Sequence, residues 1–118
     1  MNIDTNKKTI IEEDNLLVRI FIGEKEKVKS IPLYEHIVLK CRELNIAGAT
    51  VTRGIMGYGA DKRMHTSKLL ELSENLPIIV EIVDTKENID KLRPHIDEII
   101  DKGFVTIEKI HVIKYRHK

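Results

Sequence analysis

The sequence predicts an α+β fold of the ferredoxin-like type, in which an antiparallel sheet carries two helices on one face in the order β-α-β-β-α-β. Three observations support this prediction. Four short segments have the composition of strands, and two longer segments carry apolar residues at helical spacing. Only 4% of the residues are aromatic, so Ile, Val and Leu must form the core. The chain has 118 residues, which suits one domain.

The first strand is expected at residues 16–22, where apolar side chains alternate. Residues 1–14 are polar and have no sustained period, so we expect a flexible N-terminal arm followed by a single domain over residues 15–118. Pro32 favours the start of a helix, because the first turn does not need its missing N–H. The apolar stripe of this helix consists of Leu33, Ile37, Val38, Cys41 and Leu44.

A second helix is expected after Asp84, which begins the capping-box-like run Asp84-Thr85-Lys86-Glu87. Its apolar stripe consists of Ile89, Leu92, Ile96, Ile99 and Ile100. Gly103 should end the helix, and Pro94 should kink it.

The other strands are expected at residues 49–56, 77–83 and 104–115. The apolar phase of the last strand changes at Glu108-Lys109, which predicts a β-bulge there. The two helices would cover only one face of this sheet. The apolar side chains on the opposite phase are Leu17, Phe21, Ile79, Val83, Ile113 and Tyr115. An exposed apolar face of this kind is normally a partner surface, so we expect self-assembly.

Composition argues against several classes of function. The 20 basic and 19 acidic residues give a net charge of +1, which provides no general field for nucleic acid or a membrane surface. No segment approaches the roughly 18 apolar residues of a membrane span, so we expect a cytoplasmic protein without membrane insertion. The single Cys41 excludes an internal disulfide, and the scattered histidines lack the spacing of a zinc site or catalytic triad. We therefore expect no catalytic residues, no metal and no required cofactor.

Residues 54–68 bring glycine, basic and hydroxyl residues together in one segment. Glycines such as Gly57 and Gly59 let backbone N–H groups turn toward an anion, which Lys62 and Arg63 would neutralise. An ordinary surface loop gathers the same residue types, and the spacing of a Walker P-loop is absent. Composition alone therefore leaves both interpretations open.

A second basic group lies in the last strand. Lys114 and Arg116, here called the C-terminal basic pair, are two residues apart and share one face. A solvated tail is the alternative interpretation. Glu81 stands between apolar residues of the third strand, so it should be paired, face an interface or lie at an exposed edge.

Several motifs resemble the PII-like family, small proteins related to the nitrogen regulatory PII proteins. Residues 48–52, Gly-Ala-Thr-Val-Thr, resemble the start of the second PII strand. The turn Gly57-Tyr58-Gly59 resembles the one that opens the long PII loop. Residues 76–83, with Leu-Pro first and Glu-Ile-Val last, resemble the third PII strand, and the C-terminal basic pair resembles its last.

The resemblance implies a homotrimer that binds an adenine nucleotide in the clefts between subunits. Thr50 and the backbone around Val83 would contact the base, and the C-terminal basic pair would reach the phosphates from the neighbouring chain. The nucleotide-binding residues that it implies are Thr50, Gly57, Tyr58, Gly59, Lys62, Arg63, His65, Glu81, Val83, Lys114 and Arg116.

The sequence departs from the PII pattern where phosphates are held. Ala60 replaces the arginine that follows the Gly-aromatic-Gly turn, and only Lys102-Gly103 remains of the Gly- and Lys-rich loop before the last strand. AMP or ADP is therefore a better candidate ligand than tightly held ATP.

These features together predict a trimeric sensor, not an enzyme, in which an adenine nucleotide orders the loop at residues 57–75 for docking on a partner protein. Two alternatives remain open. One is a structural or metal-tolerance trimer that does not respond to nucleotide. The other is a small nucleotide-hydrolysing enzyme, although no paired carboxylates or nucleophile–base set is visible.

Overall fold

The computed structural model describes residues 2–4, 7–68 and 75–117. The strands are β1 (Asn2–Asp4), β2 (Lys8–Gly23), β3 (Lys27–Val28), β4 (Ile31–Pro32), β5 (Ala49–Arg53), β6 (Met56–Gly57), β7 (His65–Thr66), β8 (Pro77–Asp84) and β9 (Phe104–His117). The helices are α1 (Leu33–Glu43) and α2 (Lys86–Ile99). Neither helix is long and apolar enough to cross a membrane.

Four strands of the central sheet lie in the order β9-β2-β8-β5, and every neighbouring pair is antiparallel. The short strand β1 pairs with the first part of β2. In chain order these four strands are the fourth, first, third and second of the domain, which is the arrangement of the split β-α-β sheet. The predicted ferredoxin-like fold is confirmed.

The core lies between the two helices and one face of the sheet. Its residues are Val18, Ile20, Ile22, Leu33, Ile37, Cys41, Ile78, Val80, Ile82, Ile89, Leu92 and Ile96, each at most 6% exposed. Full burial of such a side chain contributes roughly 1.5–3 kcal/mol. Alternate positions of β2 and β8 supply half of the set, so the period-two pattern of these strands determines which face meets the helices.

Helix α1 begins directly after Pro32, as predicted. It ends in a Schellman motif, because the N–H of Ile46 bonds to the carbonyl of Cys41 and the N–H of Asn45 to that of Arg42. Asn45 takes the left-handed conformation that this motif requires, with φ of 59°. Asparagine tolerates that conformation better than most residues.

The cap of helix α2 differs from the prediction. Thr85 is the N-cap, and its hydroxyl accepts a hydrogen bond from the N–H of Asn88 at 3.3 Å. Asp84 lies one residue earlier, where its carboxylate accepts from the N–H groups of Ala47 and Thr85 at 2.8 and 2.7 Å. Asp84 therefore ties the exit of α1 to the entry of α2 instead of capping the helix. The helix continues across Pro94, and a kink there stays a prediction.

Strand β2 begins at Lys8, inside the segment predicted to be a flexible arm. The prediction is wrong for residues 8–14, because β9 extends equally far and pairs with them from Lys8↔His117 to Asp14↔His111. This part of the hairpin projects beyond the helices. Its side chains have no core to face, so their polar and irregular pattern concealed the strand.

The β-bulge predicted at Glu108-Lys109 is also wrong, since the β2–β9 register is continuous from Lys8↔His117 to Phe21↔Phe104. Opposed residues share a face. Ile110 and Val112 therefore lie on the face of Leu17 and Phe21, whereas Ile113 and Tyr115 lie on the helix side of the hairpin, contrary to prediction. The change of apolar phase reflects the end of the helical layer.

The second predicted strand is shorter than expected. Strand β5 ends at Arg53, and Gly54 donates its N–H to the carbonyl of Pro77 at 2.7 Å. The chain then enters a separate two-stranded ladder, β6–β7, with Met56 opposite Thr66 and Gly57 opposite His65. We call residues 54–68 the loop hairpin. Residues 69–74 of the predicted 57–75 loop lie outside the described part of the chain.

Candidate functional site

The face of the sheet that the helices leave uncovered is here called the open face. Its position follows from the register, because side chains directly opposite one another project to the same side. Its residues on the four main strands are Asn15, Leu17, Arg19, Phe21, Thr50, Thr52, Ile79, Glu81, Val83, Phe104, Thr106, Glu108, Ile110 and Val112. The open face combines an apolar band with one central ionic group.

The central group consists of Arg19 between two carboxylates. The Nε of Arg19 donates to Oε2 of Glu81 at 3.0 Å, and its terminal nitrogen donates to Glu108 on the other side. The hydrogen bond with Glu81 is the main reason that the pKa of the Arg19 guanidinium is raised. Glu81 is therefore paired within the chain, which answers the question that the sequence left open, and its place at the nucleotide stays a prediction.

The apolar part of the open face is anchored by an aromatic pair. The rings of Phe21 and Phe104 are stacked with centroids 4.6 Å apart and planes 12° from parallel. Phe104 is nevertheless 60% exposed. An aromatic ring that is stacked on one side and bare on the other gives the face an apolar contact area.

Thr50 and Val83 lie on the open face near its β5 edge. Thr50 is exposed and stands opposite Glu81, while Val83 stands opposite Leu17. Because Val83 is two residues beyond Glu81 on the same strand, Thr50 and Val83 are diagonal neighbours. The structure thus brings together the two residues expected at the base.

The loop hairpin holds the glycine-containing turn next to the end of the sheet. Ser67 donates its N–H to the carbonyl of Ile55 at 2.9 Å, which closes the base of the hairpin. A Cβ on Gly57 would lie 3.1 Å from Cγ of Pro77, so the glycine permits the close approach. Gly57 and His65 face each other across the ladder, as neighbours in the predicted site should.

The tip of the hairpin presents its cations to solvent. The N–H of Lys62 bonds to the carbonyl of Gly59 at 3.0 Å, and Lys62 has φ of 61°. Its ammonium lies 5.5 Å from the centre of the Tyr58 ring, within range of a cation–π contact. The backbone N–H of Arg63 bonds to Oδ1 of Asp61 at 3.0 Å, and the Arg63 side chain is exposed.

The C-terminal basic pair lies on the projecting part of the β2–β9 hairpin. Lys114 forms an ion pair with Glu13, and this hydrogen bond lowers the pKa of the Glu13 carboxyl. Arg116 is exposed and stands opposite Thr9. Of the two basic side chains, Arg116 is the one that is not held by a carboxylate in the described part of the chain.

The basic pair is far from the loop hairpin. Gly57 adjoins Pro77, which pairs with Gly23, whereas Lys114 pairs with Ile11. These two β2 positions are twelve residues apart, and at about 3.3 Å per residue they are separated by about 40 Å. One nucleotide cannot contact both groups within a single chain.

Asn15 is a polar residue of the open face that the sequence patterns did not single out. It is only 3% exposed, and within the described part of the chain Oδ1 and Nδ2 of its side chain have no well-formed hydrogen bond, although the amide lies close enough to Glu13 to help lower the pKa of that carboxyl. A buried amide left without partners costs about 1–3 kcal/mol. The available signal was a polar residue entering an apolar alternation just before Leu16.

Two other expectations concern Cys41 and metals. Burial raises the pKa of the Cys41 thiol to about 11, so it is a packing residue with little thiolate character. Within residues 7–68 and 75–117, no group of three or more His, Cys, Asp or Glu side chains is arranged to hold a metal ion.

Comparison with known proteins identifies the family. Residues 15–112 match the family DUF190, whose description is Uncharacterized ACR. A UPF0166 protein of Aquifex aeolicus is 38% identical over 99 residues, which cover 82% of this chain and 91% of the relative. A UPF0166 protein of Methanocaldococcus jannaschii is 36% identical over 99 residues, which cover 83% of this chain and 91% of the relative.

Solved structures share the fold at low identity. CPII from Thiomonas intermedia K12, bound to ADP and bicarbonate, has a TM-score of 0.62 at 15% identity over 86% of this chain and 91% of CPII. A putative PII-like signaling protein from Thermus thermophilus has a TM-score of 0.58 at 17% identity over 86% of this chain and 90% of that one. CutA1 from Oryza sativa has a TM-score of 0.53 at 12% identity over 84% of this chain and 80% of CutA1. The chain belongs to the DUF190 (UPF0166) family and has a PII-like fold.

Proposed function

We propose that this protein is a PII-like regulatory protein that binds an adenine nucleotide between the subunits of a homotrimer. It signals to a partner protein through the loop at residues 57–75. The observation that carries the proposal is the fold, which this chain shares with CPII, a PII-like protein bound to ADP. The loop hairpin and the C-terminal basic pair are about 40 Å apart in one chain, so the two groups meet at one ligand only when a second copy supplies one of them.

The open face supports the assembly. It carries half-buried Leu17, Ile79 and Val83 and the exposed ring of Phe104, which lose contact with water when copies pack together. Its central charges lie in one ion-paired group, in which Arg19 joins the carboxylates of Glu81 and Glu108. The group keeps one net negative charge, so its burial at an interface still requires a hydrogen bond or a cation from a neighbouring copy.

The nucleotide would occupy the seam beside β5. The base contacts Thr50 and the backbone at Val83, and the phosphates meet the loop hairpin through Lys62 and Arg63. Arg116 approaches from the neighbouring copy. Few cations are available for the phosphates, so the proposal favours AMP or ADP over ATP, and the ADP bound to CPII is the precedent at the level of fold.

A ligand at this seam can act on the loop hairpin directly. A ligand shifts a conformational equilibrium only by its differential affinity for the two states. The exposed Lys62 and Arg63 contact phosphate in one arrangement of the loop and water in the other, which supplies that difference. The exposed apolar side chains of Ile55, Tyr58 and Met64 give the ordered loop a surface for a partner protein.

Calorimetric titration of the full chain with AMP, ADP and ATP tests the proposal. We expect saturable binding of at least one nucleotide, with one site per chain. The double substitution Lys62→Ala with Arg63→Ala should weaken binding by about 1–3 kcal/mol, the range for hydrogen bonds to charged groups. Unchanged affinity would reject the phosphate role of these residues.

A matched control separates specific contacts from general charge. Lys91→Ala with Lys109→Ala removes two exposed lysines from α2 and β9 outside the seam, and we expect nucleotide affinity to stay at the wild-type value. A trimer that binds no adenine nucleotide would favour a structural role. Steady phosphate release from ATP with Mg²⁺ would favour the hydrolase and contradict a purely regulatory function.

A further inference from the structure

A second concave region lies on the helix side of the molecule. It is a groove between the β3–β4 hairpin and the facing parts of α1 and α2, with a volume of about 400 Å³. This is within the range of roughly 300–1,000 Å³ typical of small-molecule sites. We call it the helix-side groove. None of its residues belongs to the open face, the loop hairpin or the C-terminal basic pair.

Five nitrogen-bearing side chains from three elements line the groove. Lys27 and Lys29 come from the hairpin, His36 and Lys40 from α1, and His95 from α2. His36 and Lys40 are four residues apart, so they are neighbours on one helix face. His36, Lys40 and His95 are all partly buried.

The three lysines of the groove are matched in number by three carboxylates, but the two signs are not evenly placed. Lys40 pairs with Glu43 at 3.1 Å. Glu98 and Asp101 line the groove near the end of α2. Lys27 and Lys29 form no ion pair within residues 7–68 and 75–117. The hairpin side of the groove therefore carries two ammonium groups without an ion-pair partner, and the carboxylates of Glu98 and Asp101 lie on the α2 side.

The turn that carries Lys29 has an unfavourable backbone. Lys29 and Ser30 have φ of 49° and 72°, as the two central residues of a type I′ hairpin turn must. Asparagine and glycine suit these positions, whereas a lysine or serine is held there at a cost. Lys29 therefore keeps an ammonium group at the rim of the groove, whereas an asparagine or a glycine at this position would carry no charge.

The groove also has an apolar surface. Val28 and Ile99 are partly buried in its wall. A ligand with both a charged group and an uncharged body would contact ammonium and imidazole donors at one side and these aliphatic side chains at the other.

We propose that the helix-side groove binds a small metabolite that carries a phosphate group. Lysine ammonium groups act as point charges for phosphate, and imidazole N–H groups add directed hydrogen bonds. The site lies on the opposite side of the sheet from the open face, so assembly through the open face leaves it accessible. It stands independently of the proposed nucleotide site.

Two probes test the groove in the full chain, namely inorganic phosphate and ribose 5-phosphate, followed by NMR amide shifts. We expect saturable shifts of amides in residues 27–40 and 95–101 with both probes. Ribose 5-phosphate should bind more tightly, because only it reaches the apolar wall. No saturable shift in these residues with either probe would overturn the proposal.

The decisive variant is Lys27→Gln with Lys29→Asn, in which asparagine suits the left-handed turn and preserves the hairpin. We expect phosphate affinity to fall by roughly tenfold or more, the effect of losing a charged hydrogen bond. Lys7→Gln with Lys109→Gln removes the same charge from exposed positions outside the groove and should leave the affinity unchanged. An equal loss in both variants would mean general electrostatic attraction and would contradict a built site.

The two proposed sites can fail separately. The groove variant leaves the loop hairpin intact, so its affinity for AMP should equal that of the wild type. Loss of AMP binding in this variant would place the nucleotide in the groove and overturn the separation of the two sites.

Discussion

Single residues in this fold are constrained most strongly where two backbones meet. Gly103, between α2 and β9, has φ of +126°, in the region that favours glycine. A Cβ at this position would collide with the carbonyl oxygen of Phe21 and lie 3.1 Å from Cγ2 of Ile22. The sequence predicted this glycine as a helix stop, which is wrong, because α2 ends at Ile99 with Ile100 as its C-cap. Its larger role, which is to let the chain cross β2 as it enters β9, depends on a long-range contact that no local pattern encodes.

The substitution Gly103→Ala should lower the free energy of unfolding by about 2–4 kcal/mol, because backbone strain and overpacking combine. Urea denaturation at a fixed protein concentration measures the change. Gly48→Ala is the control, since a Cβ there meets no atom within 4 Å, and its effect should stay within about 1 kcal/mol. Equal effects of the two substitutions would contradict the collision at Gly103.

At the scale of elements, the β2–β9 hairpin gives the molecule its shape. The longest dimension of 52 Å matches the length of β2, a strand of 16 residues. Beyond the helices this hairpin is held by side-chain pairs in place of a core. His111 lies between Glu12 and Asp14 at 3.0 and 3.2 Å, and hydrogen bonds to Glu12 and then Asp14 raise the pKa of its imidazole.

The raised pKa predicts a pH-dependent hairpin. Protonated His111 is favoured in the folded state, so its stabilising contribution is complete below the ordinary histidine pKa and is lost as the pH rises through the raised value. NMR titration of the imidazole should give a higher pKa in the wild type than in the Glu12→Gln, Asp14→Asn variant. The same pKa in both proteins would show that the carboxylates do not act on His111.

The elements also show which patterns a sequence carries. Both helices were predictable, because their apolar stripes face a core that imposes the helical period. The extension of β2 to Lys8 and the straight course of β9 were not, since none of the core residues of the described chain lies in that part of the hairpin. The helix cap was misplaced by one residue because Asp84 and Thr85 are both good capping residues. The partners that distinguish them, Ala47 and Asn88, lie partly elsewhere in the chain.

The site was predictable only in part. Motif resemblance identified Thr50, Val83, Gly57 and His65, which the structure brings together in two pairs. Pattern alone did not reveal that Glu81 is held by Arg19, because the pairing depends on register between distant strands.

At the scale of the whole molecule, the open face is the surface through which the proposed trimer would assemble. The substitution Leu17→Glu or Phe21→Glu places a charge in the apolar band, so the proposed trimer should dissociate. Analytical ultracentrifugation measures the change in mass. Leu39→Glu is the control, because Leu39 is 47% exposed on α1, outside the open face. A variant of the open face that sediments as the wild type does would remove this face as the interface.

In the proposed trimer, the distance between the loop hairpin and the C-terminal basic pair would link ligand affinity to protein concentration. If each site needs parts of two chains, isolated chains hold no complete site, and mass action makes the apparent dissociation constant rise on dilution. The nucleotide would in turn add its own binding free energy to the cohesion of the oligomer. Occupancy of the site would then depend both on the concentration of the nucleotide and on the concentration of the protein itself.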